Sequence, residues 1–530
     1  MKNTKHLWLL IIPLLLITCS KSDGRTEIPP LQVQPPTVIT LDATEVMENS
    51  ATIGGNVSDD GGDPITERGI CWATTNNPTL GNDHVQIGTG KGDYSSFLTE
   101  LEANTTFYVR AYATNGIGTS YGNEISFTTL EKRALIYEGN VILRSQDMVD
   151  DFGDHNYTEI TGDLEISYDI NHPEWEPINN LEKLGSLTTI GGRLLMYGLD
   201  NLNSDDVLVN FSSIGGDIEI IGGNMTSLAF LKGIIAYNGS LLISNISTLQ
   251  SLDGLENCTE INGNLIIAYN LNLTDIDALT NLTSVIGRLN IDFNDVLSNL
   301  NGLSRLTEVG RYLSIYGNNM LTNISGLKSL ETVKWILSVE HCPLLANIDG
   351  LDNLLEVQGI EIIGNDALTN LNGLEQLITA HGIQESLVIG DNSSLTDIGV
   401  LAPMTEGPDW IHIYGNGSLS NLNGLNNLTT VAKLDIIDNN ALTEIIGLNN
   451  LISISQGLDI ANNDNLTSIS GFDNLSSFSG KLRVWYNENL TDLCGLAPLV
   501  NIGLEEQNFT VSGNDYNPSY QDLVDGKCSP

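Results

Sequence analysis

The sequence predicts an all-β chain in which a small β-sandwich is followed by a β-solenoid of about 15 rungs with a 24-residue repeat. Three observations predict it. Residues 37–130 alternate apolar and polar over short runs broken by Gly, Asn, Asp and Pro, as in SATIGGNV, ERGICWAT and TTFYVRAYAT, the pattern of half-buried strands joined by turns. Beyond them the phrase LSIYGNNMLTNISGL at 313 recurs as LNIDFNDVLSNLNGL at 289, LDIIDNNALTEIIGL at 434 and LDIANNDNLTSISGF at 458. Gly-Leu-like pairs at 254, 278, 302, 326, 350, 373, 400, 424, 447, 471 and 495 set a period of 24 residues with slips of one to three, and self-similarity at that period means stacked repeats.

At 530 residues and 41% hydrophobic content the chain can bury more than one core, while a mean hydropathy of −0.01 argues against many membrane spans. Its first segment differs. Lys2 and Lys5 precede an apolar run from Leu7 to Ile17, too short to cross about 30 Å of hydrocarbon and therefore read as a secretory signal over residues 1–18. Leu16-Ile17-Thr18-Cys19 resembles a bacterial lipobox, with Thr18 where Gly, Ala or Ser is usual. The resemblance implies that Cys19 carries acyl chains that hold the protein to a membrane; the other reading is an ordinary secretion signal that ends near a cysteine. Ser20-Lys21-Ser22-Asp23-Gly24 loosely resembles the charged signal of lipoproteins displayed on the cell surface, so the expected location is the outer membrane, lipid-anchored and facing out. Residues 19–36 carry Pro29, Pro30, Pro35 and Pro36 and almost no large apolar side chains, a composition that stays extended as a tether.

The balance of 22 Lys plus Arg against 66 Asp plus Glu gives a net charge of −44. Nucleic acid is a poor partner for such a surface, since its binding needs basic patches that displace counterions. Charged residues are only 17% of the chain, so the acidity reflects missing bases more than massed acids. The run Asp59-Asp60-Gly61-Gly62-Asp63 has oxygen ligands for Ca²⁺ but lacks the twelve-residue loop closed by Glu, and reads as a hairpin turn. None of the seven His falls in a zinc pattern and no phosphate-cradling Gly-Lys loop occurs, so no metal or cofactor is expected.

Within the sandwich, LEANTTFYVRAYATNGIGTSYGNEISFTT resembles the last strands of a fibronectin type III module, with Leu101, Thr105, Phe107, Val109 and Ala111 at every-second-residue spacing. Phe107 stands where that family usually places a corner Tyr. Gly118 to Gly122 spell the letters of a hydrolase nucleophile elbow, but that motif needs a strand, a sharp turn and a helix, and here it falls in a hairpin.

After a linker and cap at 131–157, the repeats occupy 158–515, with a terminal cap at 516–530. Counted from Gly302, the apolar positions are Leu303, Leu306, Val309, Leu313, Ile315, Leu321 and Ile324, and the next rung repeats them with Cys342 in the place of Asn318. Leu-x-Ile has the period of two of a strand with one buried face, and the rest run in threes, the spacing of tight turns. Each rung is thus one strand and a folded return. The phrase Leu-x-Ile-x-x-Asn-x-x-Leu-x-x-Ile-x-Gly-Leu-x-x-Leu resembles the leucine-rich-repeat plan, and most of all the L domains of insulin-type and epidermal-growth-factor-type receptors, over about 360 residues. That resemblance implies a right-handed solenoid that binds proteins or sugars and rarely does chemistry.

The recurring Asn, at 270, 294, 318, 365, 392, 416, 439, 463 and 487, reads as an inward corner amide that bridges backbone groups of adjacent rungs. Asn-Leu-Thr triplets match a glycosylation sequon, but the repeat itself generates them. Cys71, Cys258 and Cys342 read as buried thiols, whereas Cys494 and Cys528 are expected to pair and pin a tail over the end of the stack. Function then falls to the residues beside each Leu and Ile on the outer face. Toward the C-terminal end these are His412, Tyr414, Asp435, Asp459, Arg483 and Trp485. Aromatic rings flanked by acids and an Arg suit a carbohydrate or a protein hot spot, and an ordinary solvated face is the plain alternative. Asp435 and Asp459 share a repeat position on adjacent rungs, about 5 Å apart, close to the separation in retaining glycosidases. A solenoid repeats any residue at that distance, however, so the expectation is a membrane-anchored, surface-facing, non-enzymatic binding or adhesion module. Its expected partners are an extracellular protein or glycan, with glycan capture for a polysaccharide uptake system as the alternative and a glycosidase behind it.

Overall fold

A computed structural model describes residues 32–530 except 169–171, 173–174, 203–210 and 381–382. Cys19, the secretory signal and most of the tether lie outside the described residues. The chain divides into two compact units between Arg133 and Ala134.

The first unit is a β-sandwich. Thr37–Thr44, Ala51–Asp59 and Gly92–Leu98 form one antiparallel sheet, and Asp83–Gly88, Glu67–Ala73, Thr106–Thr114, Thr119–Tyr121 and Ile125–Thr128 form the other. Inward residues of both sheets, among them Ile53, Ile70, Val109 and Ala111, are fully buried. Phe107 is buried and stacks on Phe127 at 5.8 Å. The corner before it is tied by the Thr129 hydroxyl, which donates to the Glu102 carbonyl at 2.6 Å and accepts from the Thr105 amide at 3.0 Å. Asp59 to Asp63 form a turn whose Asp59 and Asp60 carboxylates accept from the amides of Gly61 and Gly62.

The second unit is a β-solenoid. Among the described residues one parallel sheet holds 17 strands, from Val141–Leu143 to Phe509–Ser512. Ser477–Phe478 and Lys481–Trp485 belong to the same turn of the chain, which leaves sixteen rungs. The stack starts inside the segment expected to be linker and cap, because Val141 and Leu143 carry the same alternation and pair with Leu164 and Ile166. A typical rung runs from the strand Leu289–Asp292 through a corner to the single 3₁₀ turn Asn301–Leu303, the two-residue strand Glu308–Val309 and the next strand, Leu313–Tyr316. Pairing is in register, Leu289 on Leu313 and Ile291 on Ile315, so every apolar position stacks on its equivalent and is sealed from water.

The corner after each strand has a fixed conformation. The residue just before the recurring Asn takes a left-handed backbone: φ is 66° at Gly317 and at Gly364, 65° at Gly415, 52° at Asp391 and 53° at Asn462. Gly, Asn and Asp tolerate that region best, yet Tyr269, Phe293, His341 and Tyr486 occupy it at the same step. The Asn that follows is buried. Asn318 donates from Nδ2 to the Ile291 carbonyl at 2.7 Å and accepts on Oδ1 from the Asn294 amide at 3.0 Å; Asn294 does the same for Ile267 and Asn270 one rung earlier. The chain of amides continues to Asn487 and Asn514. It is interrupted at Cys342, whose own amide still donates to Asn365.

At the far end a disulfide joins Cys494 to Cys528, with Cα atoms 4.7 Å apart, and the short helix Tyr520–Val524 packs its Leu523 against the last rung. Cys71, Cys258 and Cys342 are free and buried. Burial pushes their thiols up, to about 11, 12 and 11.

Two stability measurements follow from this geometry. Asn318→Ala leaves the Asn294 amide and the Ile291 carbonyl without partners inside the stack and lowers stability by about 1–3 kcal/mol per stranded group, read as a lower urea midpoint. Cys342→Asn supplies the missing amide and raises it. Double replacement of Cys494 and Cys528 by Ser lowers the melting temperature by freeing the tail, an effect of about 2–4 kcal/mol, and leaves the circular dichroism of the stack unchanged below the transition.

Candidate ligand-binding face

The period of two places three residues of each long strand on the outer face, and in-register pairing turns them into straight rows. The first row runs Ser386, Trp410, Lys433, Gly457, Lys481. The second runs Val388, His412, Asp435, Asp459, Arg483, Thr510, and the third Gly390, Tyr414, Ile437, Ala461, Trp485, Ser512. All six residues proposed from the sequence lie on this face, though not as one patch.

His412 and Tyr414 share a strand with Trp410, and the three rings form a continuous stack with centroids 4.9 and 4.5 Å apart. Gly390 on the preceding rung makes room for it, since a Cβ there would lie 2.1 Å from the Tyr414 ring. Trp485 sits three rungs away, about 14 Å along the stack, beside Tyr486 at 5.5 Å. Two aromatic walls therefore flank two rungs of ionic floor.

The floor is not the open acidic surface that the alternation predicted. Asp435 and Asp459 are 3% and 5% exposed, because long side chains from neighbouring positions fold over them. Trp410 Nε1 donates to Asp435 Oδ2 at 2.8 Å, Lys433 Nζ reaches the same oxygen at 2.5 Å, and the Lys433 ammonium lies 4.9 Å from the Trp410 ring centre. Trp485 Nε1 donates to Asp459 Oδ1 at 2.9 Å, and Arg483 Nη2 holds Oδ2 at 2.5 Å. Burial nevertheless raises the Asp459 carboxyl above the usual carboxylate range, outweighing the opposing pull of Arg483. A glycosidase pair would need one carboxylate free to attack and the other to give up a proton; Asp459 commits both oxygens to the tryptophan and the arginine. Asp435 Oδ1 is different: it is buried and has no hydrogen-bond partner.

Toward the start of these strands lies a depression of about 390 Å³, floored by Gly457 and Gly480 and edged by Lys433, Lys481, Arg483 and Asn508. Trp410, Lys433, Gly457 and Lys481 escaped the sequence reading because it took the outward positions from Leu onward; the same period of two, counted one step earlier, reaches them all. A second aromatic run crosses four rungs in mid-stack, where Tyr269, Phe293, Tyr316 and His341 follow one another with ring centroids 4.7 to 5.1 Å apart. Among the described residues no group of three His, Cys, Asp or Glu could hold a metal ion, and no helix is long and apolar enough to cross a membrane.

The fold and face define a two-part chain, a β-sandwich followed by a β-solenoid with an aromatic-walled outer surface. No protein-family model matches it, and none of the curated proteins does. Among solved structures it is similar to the sensor domain of an anti-sigma factor from Pseudobacteroides cellulosolvens, at 20% identity over 19% of this chain and 99% of that one, with a TM-score of 0.16. A human fibronectin type III domain matches at 12% identity over 22% and 90%, with a TM-score of 0.15. A pectate lyase from Pectobacterium carotovorum matches at 10% identity over 58% and 82%, with a TM-score of 0.13.

Burial between the rings holds the His412 imidazole below its ordinary value; Asp435 pulls it up and Lys433 pushes it down, both by less. The neutral ring is therefore favoured in the folded chain. Its contribution to stability is present above the unfolded value of about 6.5 and is lost as the pH falls through the folded one. An NMR titration of His412 is expected to give a midpoint below that of a free imidazole, and Trp410→Ala, which uncovers the ring, to move the midpoint up.

Proposed function

We propose that this chain is a membrane-anchored, outward-facing, non-enzymatic binding protein that engages an extracellular protein or glycan through the C-terminal part of its solenoid face. The observation that carries the reading is the pair of aromatic walls, Trp410-His412-Tyr414 and Trp485, on either side of a polar floor. Flat rings give a large contact area at low entropy cost, and stacked neighbours hold them in place before a ligand arrives. The resemblance of the repeat to receptor L domains, which bind proteins or sugars, and of the first unit to fibronectin type III modules agrees with it. Anchorage through acyl chains on Cys19, in the outer membrane, belongs to the same proposal and rests on the lipobox resemblance.

Glycan capture for a polysaccharide uptake system is the second reading, favoured by rings spaced along a straight row as a sugar chain would need. The test is a glycan array probed with the purified protein and with the double variant Tyr414→Ala, Trp485→Ala. Binding that falls at least tenfold in the variant supports the face; binding that survives unchanged removes the C-terminal face from the reading. Metabolic labelling with a fatty acid, lost in Cys19→Ala, tests the anchor.

A further inference from the structure

The depression over Gly457 has a composition unlike the rest of the surface. The chain has 22 Lys and Arg against 66 Asp and Glu, yet Lys433, Lys481 and Arg483 edge this one hollow. Lys433 and Lys481 stand in the same row two rungs apart, about 10 Å, and the position between them is Gly457. A side chain there has no room, since a Cβ would lie 2.7 Å from the Lys481 carbonyl oxygen. The row between the two lysine positions is thereby kept free of a side chain down to the backbone. Lys433 is committed to Asp435 and Arg483 to Asp459, whereas Lys481 is exposed and makes no ion pair among the described residues.

Asp435 adds a second requirement. Its Oδ1 is a buried acceptor with no donor, on a side chain that lines the same hollow. A buried carboxylate oxygen is costly to leave unmatched, and a bare anion cannot match it, because an anion brings no proton to donate. The occupant has to carry a negative charge for the lysines and, a few ångströms away, a hydroxyl for Asp435.

We infer that this depression binds an acidic sugar, its carboxylate or sulfate seated over Gly457 between Lys433 and Lys481 and one of its hydroxyls donated to Asp435 Oδ1. The inference rests on the binding-face reading above and names the ligand class. It also separates the roles of the two kinds of residue: the aromatic walls hold any saccharide, and the lysines select the charged ones.

The experiment is isothermal titration of the full chain with alginate oligosaccharide for the carboxylate, carrageenan oligosaccharide for the sulfate, a neutral laminari-oligosaccharide and a poly-glutamate peptide. Lys481→Gln is the variant, chosen because its side chain is exposed and unpaired, with an unchanged melting temperature as the check on folding. One or both acidic sugars are expected to bind, to weaken at least tenfold in Lys481→Gln, and to weaken as salt is raised. Which acidic sugar binds decides between carboxylate and sulfate. Acidic-sugar binding that is indifferent to Lys481→Gln overturns the inference, as does tighter binding of poly-glutamate. Binding of the neutral sugar alone, lost in Tyr414→Ala with Trp485→Ala, overturns the inference while leaving the binding face in place. Absence of binding to every saccharide overturns the inference and removes the glycan reading with it.

Discussion

The buried asparagine that recurs at the corners from Asn270 to Asn514, with Cys342 the exception, is the interaction on which most of the solenoid depends. A chain that turns sharply every few residues around a Leu and Ile core points backbone amides and carbonyls inward, where no water reaches them. Each amide side chain answers one carbonyl of the preceding rung and one amide N–H, so where the Asn is present the polar cost of a corner is met by the next rung. The left-handed residue before it aims the Asn inward, which is why Gly, Asn or Asp holds that step in most rungs. Because the amide ladder and the strand ladder both advance one rung at a time, a slip of register would break them together.

Straight rows follow from that register, and the binding face follows from the rows. A parallel stack repeats one position every 4.8 Å or so, so a residue's neighbours on the face are its repeat equivalents and not its neighbours in sequence. Asp435 meets His412 on one side and Asp459 on the other. Two acids placed side by side in this way repel, and here each is neutralised from within its own rung or by the next residue in the row: Lys433 for Asp435, Arg483 for Asp459. Glycine has a spatial meaning on the same surface. At Gly390 it admits a ring and at Gly457 it leaves a hollow.

Much of this was legible before any coordinates. The sandwich, the repeat and its period, the inward Asn and the outward positions of His412, Tyr414, Asp435, Asp459, Arg483 and Trp485 all come from spacing, because a period of two or of 24 maps directly onto a direction in space. The first rung was missed since Val141-x-Leu143 departs from the Leu-x-Ile spelling by which the rungs were traced and falls in the stretch assigned to linker and cap. The burial of Asp435 and Asp459 could not be read, since alternation gives the direction of a Cβ but not what leans over it. Trp410 and Trp485 are large enough to cover a carboxylate from a neighbouring position, and their indole N–H groups need a partner when they do.

The sequence by itself determined which residues turn inward and which turn outward, since that division is set by local periodicity and by the apolar surface each rung must bury. Only the tertiary structure decided which outward residues meet. The slips in the repeat, absorbed in the returns between strands, shift the sequence distance between equivalents from rung to rung, and parallel pairing alone restores them to common rows. That pairing places Gly457 between Lys433 and Lys481 and leaves Asp435, a residue that lines the hollow, with its buried Oδ1 lacking a donor. Contacts across rungs depend on side-chain length, packing and hydrogen-bond geometry at a separation of some 24 residues, and no local pattern encodes them.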